Sequence, residues 1–256
     1  MGFYDMSKEE RKLLVEQIAK NLQEDIDAQQ QNYVRQYFSD EDTYIRKSAY
    51  LAIGRIYKAK EGKGIQVIDV LTELLEADLE KIRQTAVNAA GEIGMCHFEK
   101  VQHIFNTGLF DVHHIVRNAV IGSVKKMSAK NPWPVLEWAK SYLEHPDKEI
   151  RREICHGIEL RGRTHPQDIL PLLKQLQFDT TARVKNTLVH VLGQIAYKKG
   201  CLETVLEGLK HWKNKELVAE AIDEIIDVHY RYRSFSYYTQ EEAIAQIDEA
   251  NILKKT

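Results

Sequence analysis

Apolar residues recur along this chain with the 3.6-residue period of amphipathic α-helices. In the segments that begin at Ile45 and Ile82, apolar side chains occupy offsets 0, 4, 7, 8 and 11 from the leading isoleucine, which places them on one helical face. The pattern returns more loosely in segments that begin at Val116, Ile150, Val184 and Val218. Successive segments are 37, 34, 34, 34 and 34 residues apart. This nearly fixed spacing predicts a repeat protein built from helices.

A second set of amphipathic runs lies upstream of these helices, so each repeat is predicted to be a pair of helices. The first-helix runs cover residues 66–76, 98–109, 132–143, 166–176 and 201–212. Pro132 and Pro166 begin two of them, where the missing N–H of proline costs little. Runs 7–23 and 239–255 extend the pattern at the two ends and are predicted to be capping helices, which shield the open ends of a repeat array.

Acidic residues precede five of the second helices. They are Asp42, Asp78, Asp111, Asp147 and Asp179. A carboxylate at the start of a helix accepts hydrogen bonds from unpaired N–H groups and complements the helix dipole. We therefore expect these aspartates to cap the second helices.

A basic residue follows the leading isoleucine or valine in every repeat except the last, which has Ala219. The basic residues are Arg46, Arg83, Arg117, Arg151 and Lys185. We expect each to pair with an aspartate of its own or the adjoining repeat and so to link the repeats. Together these residues form the motif Asp-x(2–4)-[Ile/Val]-Arg-x-x-Ala, which resembles the HEAT family of α-solenoids over residues 25–230. The Trp/Leu-Gly-Tyr pattern of tetratricopeptide repeats, whose period is also about 34 residues, is missing.

The resemblance implies an all-α fold, a right-handed α-α superhelix (solenoid) of about six HEAT-like helix pairs with N- and C-terminal capping helices. A single α-solenoid domain is expected over residues 1–256. Within it, 1–24 form the N-terminal cap helix, 25–230 the six repeats and 231–256 the C-terminal cap. Residues 230–238 interleave tyrosine and phenylalanine with arginine, which suits covering the last repeat or, alternatively, stacking on single-stranded bases.

Composition narrows the classes of protein. The 36 Lys+Arg and 38 Asp+Glu residues give a net charge of −2, which excludes a domain that is strongly basic as a whole. Cys96, Cys155 and Cys201 form neither a disulfide framework nor a zinc-finger pattern and favour a reducing, cytoplasmic location. No apolar run reaches the roughly 18–20 residues that span a bilayer, so no membrane partner is expected.

Polar side chains at offsets 2 and 6 of the second helices are predicted to form a row on the concave face. The candidate binding residues of this row are Lys47, Gln84, Asn118, Arg152, His156, Asn186 and His190. Concave faces of solenoids are common docking surfaces, although an ordinary solvated helix face is the alternative. Basic residues near the ends of second helices could contact phosphate, while the helix dipole accounts for such clustering without a partner. These possible phosphate-edge residues are Arg161, Arg163, Lys198 and Lys199.

The sequence gives little support for catalysis. His156 and His190 lie at equivalent positions in adjacent repeats and could hold a metal, but a hydrogen-bonded pair is favoured, so no metal, cofactor or catalytic residue is assigned. Size and short repeats also resemble the HEAT-like DNA alkylation repair glycosylases, in which aromatic residues and a carboxylate face the alkylated nucleotide. The nearest match is Trp133 with Glu137, on a first helix expected to face outward, so that active site is not carried over. We expect Trp133, Trp138 and Trp212 to pack between first helices.

These patterns favour a non-catalytic HEAT-repeat binding or scaffold protein that holds a macromolecular partner, protein or nucleic acid, on its concave face. The alternative is a DNA-binding or DNA alkylation repair protein of the HEAT-like class. A chaperone or assembly factor for another enzyme is a third possibility, with no discriminating feature in the sequence.

Overall fold

The computed structural model describes residues 2–59 and 64–252, and every regular element in these ranges is a helix. Residue 1 of the predicted N-terminal cap and residues 253–256 of the predicted C-terminal cap lie outside the described residues. The chain divides into two compact units, Met1–Asn131 and Pro132–Thr256. The predicted all-α class is therefore confirmed, while one continuous domain stays a prediction. None of the described helices is long and apolar enough to cross a membrane.

The first unit contains alternating first and second helices. Its α-helices are α1 (Lys8–Ala28), α2 (Asn32–Phe38), α3 (Thr43–Ala59), α4 (Gly64–Glu73), α5 (Glu80–Gly108) and α6 (His114–Lys130). Helix α1 packs on α2 and α3, and the second helices pack in the order α3, α5, α6. Helix α5 joins a predicted second helix to the following first helix, and only His97 (φ −136°, ψ 60°) interrupts its helical backbone.

The second unit arranges its helices in two layers. Its α-helices are α7 (Pro132–Lys140), α8 (Lys148–Gly157), α9 (Glu159–Gly162), α10 (Pro166–Leu173), α11 (Ala182–Gln194), α12 (Cys201–Lys210), α13 (Lys215–Arg231) and α14 (Gln240–Ala250). The second helices α8, α11 and α13 pack side by side in this order, and α10, α12 and α14 do the same. Each second helix thus covers the apolar stripe of its neighbour.

The predicted apolar stripe is the observed core. In the repeat that begins at Ile82, all five stripe residues are buried, and three of them are alanines that allow close helix packing. Trp138 and Trp212 are buried as expected, but Trp133 is 70% exposed, so the expectation that it packs between helices is wrong. The reason is geometric: Trp133 precedes Trp138 by five residues, a rotation of about 140° around α7.

The predicted link between a basic residue and an aspartate is present at Arg83 in the first unit and at Arg151 in the second, whereas Lys185 pairs with Glu220 instead of an aspartate. Arg83 donates to Asp111 through Nε at 2.7 Å and Nη2 at 3.0 Å, and its Nη1 donates to the backbone carbonyls of Ala77 and Asp78. Asp111 precedes the second helix of the next repeat, so the pair joins adjacent repeats.

In the second unit Arg151 repeats this arrangement with Asp179, at 2.6 Å, and with the carbonyls of His145 and Pro146. Burial alone would raise the pKa of Asp179, but the hydrogen bonds from Arg151 and from the Thr181 N–H outweigh it and leave the pKa below its ordinary value. The motif therefore stabilises both units through the same contacts.

The capping prediction holds for Asp147, whose side chain accepts from the Glu149 N–H at the start of α8. It is wrong for three of the other aspartates. Asp111 and Asp179 lie two residues before the caps, which are His113 and Thr181, and accept from the N–H groups of those residues. Their arginine partners hold them there. Asp78 lies one residue before the N-cap of α5, which is Leu79, and the Leu79 side chain makes no capping hydrogen bond.

Glycine recurs at offset 9 of second helices, at Gly54, Gly91 and Gly193, where the next second helix comes close. A Cβ atom at Gly91 would lie 2.5 Å from Ser123 Oγ and 2.8 Å from Ser123 Cβ. Because these atoms are close to the α6 backbone, the helices must move apart to accommodate a methyl group.

We therefore expect Gly91→Ala to lower the free energy of unfolding by about 1–3 kcal/mol through overpacking. Gly122→Ala, on α6, is the matched control, since a Cβ atom there meets nothing within 4 Å. It should stabilise by up to about 1 kcal/mol because alanine favours the helix. Urea denaturation of both variants measures the difference. Equal stabilisation by the two substitutions would show that α5 and α6 do not approach this closely.

Candidate binding face

In the first unit, the predicted row residues lie on successive second helices. Lys47 is exposed on α3, Gln84 is half-buried on α5, and Asn118 is exposed on α6. The structure brings Lys47 and Gln84 together in a shallow depression of 310 Å³. Tyr44 and Tyr50 also line it, so this depression combines aromatic and polar groups.

In the second unit, Arg152 and His156 lie on α8, and Asn186 and His190 lie on α11. We call the outward polar surface of α8, α11 and α13 the second-helix face. Between α11 and α13 it contains a shallow depression of 460 Å³. The depression is lined by Asn186, Val189, His190, Glu220, Glu224, Asp227 and Arg231. Two of the predicted row residues therefore share a site with carboxylates of the last repeat.

Cations on the second-helix face are paired with carboxylates. The pairs are Arg152 with Glu149 (2.9 Å), Arg183 with Glu149 (2.7 Å), Lys185 with Glu220 (2.5 Å), and Arg231 with Glu224 and Asp227 (both 2.5 Å). Two of these pairs, Arg183 with Glu149 and Lys185 with Glu220, connect adjacent second helices. The face is therefore polar and charge-paired rather than basic.

A cluster of buried and half-buried polar groups lies where α8, α9 and α11 meet. His156 Nε2 is 3.1 Å from Glu159 Oε2, and the rings of His156 and His190 are 6.1 Å apart between centroids. Arg163 donates to Glu159 Oε1 through Nε at 2.9 Å and through Nη2, and Nη2 also donates to Gln194 at 2.8 Å. We call His156, Glu159 and His190 the histidine–glutamate cluster.

The sequence pattern does not single out Glu159, although its side chain is only 2% exposed. It lies at offset 9 of its repeat, where Gly54, Gly91 and Gly193 stand in other repeats. The carboxylate is therefore at the close contact between second helices, and Arg163 offsets the cost of burying its charge. Its spacing of three residues from His156 places the two on one helical side, which is the signal that could have identified it.

Burial also sets the protonation of nearby groups. Desolvation holds the pKa of His190 below its ordinary value, despite the opposing effect of Glu159 and Glu224. Its imidazole is therefore neutral at physiological pH. Burial raises the pKa of the Cys155 thiol, which keeps this cysteine protonated and unsuited to act as a nucleophile.

The possible phosphate-edge residues are engaged within the chain. Arg161 pairs with Asp168, with Nε and Oδ2 2.7 Å apart, and Arg163 binds Glu159 as described. Lys198 and Lys199 lie over the rings of Tyr197 and Tyr237 at 4.9 Å and 5.6 Å.

The helix pairs, their spacing and the Arg–Asp links define a HEAT-like helical-repeat fold, as the sequence predicts. No protein-family model matches the sequence, and a search of the curated proteins finds no match. Among solved structures, AlkD2 from Streptococcus mutans is similar, with a TM-score of 0.54 and 16% identity over 81% of this chain and 97% of that protein.

Two further solved structures align with this chain. A TOG domain of Crescerin, whose TOG array regulates microtubules in the primary cilium, has a TM-score of 0.50 and 13% identity over 75% of this chain and 87% of its own. An archaeal HEAT-like repeats protein from Thermococcus onnurineus NA1 aligns over 97% of this chain and 99% of its own, with 15% identity and a TM-score of 0.42. At these identities the similarity concerns the fold alone.

Proposed function

We propose that this chain is a non-catalytic binding protein that holds a polypeptide segment on the second-helix face of residues 132–256. The observation that carries the proposal is the charge-paired depression between α11 and α13. A cytoplasmic location, which the cysteine pattern favours, belongs to the same proposal.

The side chains of the depression suit a polypeptide with basic residues. Glu220 is 41% exposed and Asp227 is 55% exposed, so a lysine or arginine of the partner can reach either carboxylate. The Asn186 amide both donates and accepts hydrogen bonds, which suits a partner's backbone. Val189 adds an apolar contact in the same depression. A phosphate backbone, by contrast, is repelled here, because three carboxylates, Glu220, Glu224 and Asp227, and only one arginine or lysine, Arg231, line the depression.

DNA binding, with alkylation repair as its specific form, is the second candidate. It is favoured by the local composition, because residues 147–200 contain ten Lys/Arg and six Asp/Glu, a charge of 10 − 6 = +4. Phosphate contacts make the affinity for DNA fall steeply as salt rises. Binding of a labelled duplex between about 50 and 200 mM salt therefore separates this candidate from polypeptide binding.

Peptides displayed on phage and selected on the immobilised chain test the leading proposal. We expect the selected peptides to be enriched in lysine and arginine, and Glu220→Lys to weaken their binding at least about tenfold, because it reverses a charge at the contact. Affinities of synthetic copies are measured by isothermal titration calorimetry.

Glu207→Lys is the matched control. Glu207 lies on the first helix α12 and pairs with Lys210 at 2.8 Å, as Glu220 pairs with Lys185 on the second-helix face. The control should bind the selected peptides like the unmodified chain. Equal loss in both variants, or tight DNA binding that weakens steeply with salt, would contradict the proposal.

A further inference from the structure

The histidine–glutamate cluster combines the ligand types of a transition-metal site. One nitrogen from each of His156 and His190 and one carboxylate oxygen of Glu159 all lie within 4.8 Å of one another. Two imidazoles and one carboxylate are a ligand set that binds zinc and related divalent ions, whereas sites for calcium and magnesium use oxygen ligands. From the residues that meet at this point of the fold, we propose that the cluster binds one divalent transition-metal ion of the zinc type.

The surroundings of Glu159 orient it toward such an ion. Arg163 binds Oε1 of the carboxylate, which leaves Oε2 directed at His156 Nε2, 3.1 Å away. The guanidinium is itself held by the Gln194 side chain at 2.8 Å. Hydrogen bonds that orient a ligating carboxylate are typical of metal sites, because they fix the direction of the lone pairs. The buried glutamate thus contacts Arg163 through Oε1 and presents Oε2 to His156.

A second carboxylate, that of Glu224, lies beside His190. The Nδ1 atom of His190 lies 3.6 Å from Glu224 Oε1, an ion-pair distance longer than a hydrogen bond, so Glu224 adds a negative charge beside the cluster.

Exposure leaves room for a ligand from outside the chain. The side chains of His156 and His190 are 34% and 43% exposed, while Glu159 is buried beneath them. Three protein ligands with one side open to solvent correspond to a zinc site that keeps a coordination position for water or for a side chain of a bound partner. Metal binding at this cluster does not require the proposed polypeptide partner.

Titration of the chelator-treated chain with Zn²⁺ by calorimetry, and with Co²⁺ by visible absorption, tests the site. We expect one equivalent to bind and the Co²⁺ complex to show the absorption of a four-coordinate ion. His190→Ala and His156→Gln should each raise the dissociation constant at least about 100-fold, because losing a ligand costs more than the 10–100-fold typical of losing an orienting residue. Both histidines are partly exposed, so both variants should keep their helical circular dichroism.

His211→Ala is the matched control, because His211 also lies near a carboxylate, at 3.5 Å from Glu207, but outside the cluster. It should bind Zn²⁺ like the unmodified chain. The proposed site is excluded if the unmodified chain does not bind Zn²⁺, or if it binds Zn²⁺ no more tightly than His190→Ala and His156→Gln. A loss that is equally large in His211→Ala would overturn it as well, since binding would then not be specific to the cluster.

Discussion

Replacement of Trp138 by alanine is expected to lower the free energy of unfolding by about 3–5 kcal/mol. The indole is only 5% exposed and lies on α7 with Val135, Leu136 and Ala139, which are buried as well. Its ring also packs at 5.1 Å from the ring of Tyr142. Removing it therefore deletes a large apolar side chain and leaves a cavity that its neighbours fill only in part.

Trp133→Ala provides the comparison within the same helix. Because Trp133 is 70% exposed, its replacement should change the stability by no more than about 0.5 kcal/mol. Urea denaturation followed by circular dichroism measures both variants. Similar losses for the two tryptophans would show that the orientation of α7 is wrong.

Arg83→Ala is expected to be nearly as destabilising, by about 3–5 kcal/mol. The side chains of Arg83 and Asp111 are 13% and 11% exposed, and the guanidinium also holds the carbonyls of Ala77 and Asp78. Without the arginine, the largely buried Asp111 carboxylate loses the guanidinium that neutralises its charge. The loss therefore includes the cost of an uncompensated charge as well as the lost hydrogen bonds.

Lys81→Ala is the control on the same helix. Lys81 pairs with Glu41, whose side chain is 89% exposed, so its loss should be much smaller. The two variants should also differ in their response to pH. Burial would raise the pKa of Asp111, but the hydrogen bonds from Arg83 and from the His113 N–H leave it below its ordinary value.

The stability that this depressed pKa contributes is complete above the ordinary aspartate value of about 3.9 and is lost as the pH falls through the lowered pKa. The advantage of the unmodified chain over Arg83→Ala should therefore shrink below about pH 4. Unfolding measured between pH 3 and pH 7 decides this. A constant difference over that range would contradict the Arg83–Asp111 link.

The repeated helices could be predicted from the sequence because burial follows a local rule. The helical period places Ile82, Ala86 and Ala90 on one face of the helix, and all three are buried in the structure. The sequence alone could not identify the partner of Arg83. Asp78 precedes it in the same repeat, and Asp111 occupies the equivalent place in the next repeat, so either could lie beside the arginine. The structure selects Asp111 because the aspartate of the next repeat is brought against the arginine when second helices stack.

The histidine–glutamate cluster was only half predictable. His156 and His190 stand out because equivalent positions in adjacent repeats must lie close together. Glu159 is harder to identify, because its spacing from His156 places it on the same helical side, but a charged residue does not by itself predict burial at the offset occupied elsewhere by Gly91 and Gly193. The charge of Glu159 is offset by Arg163, four residues further along, and the guanidinium is in turn held by Gln194 of α11, which is a tertiary contact. The exposure of Trp133 could not be predicted either, since a tryptophan in a short amphipathic run can lie on the buried or on the exposed side of the helix.

Hydrogen–deuterium exchange of the chain, with and without a selected lysine- or arginine-rich peptide, tests the proposed binding face most directly. We expect protection concentrated in α11 and α13, at the segments that contain Asn186, His190, Glu220 and Glu224, and loss of this protection in Glu220→Lys. Protection confined to other helices, or protection in Glu220→Lys equal to that in the unmodified chain, would contradict it.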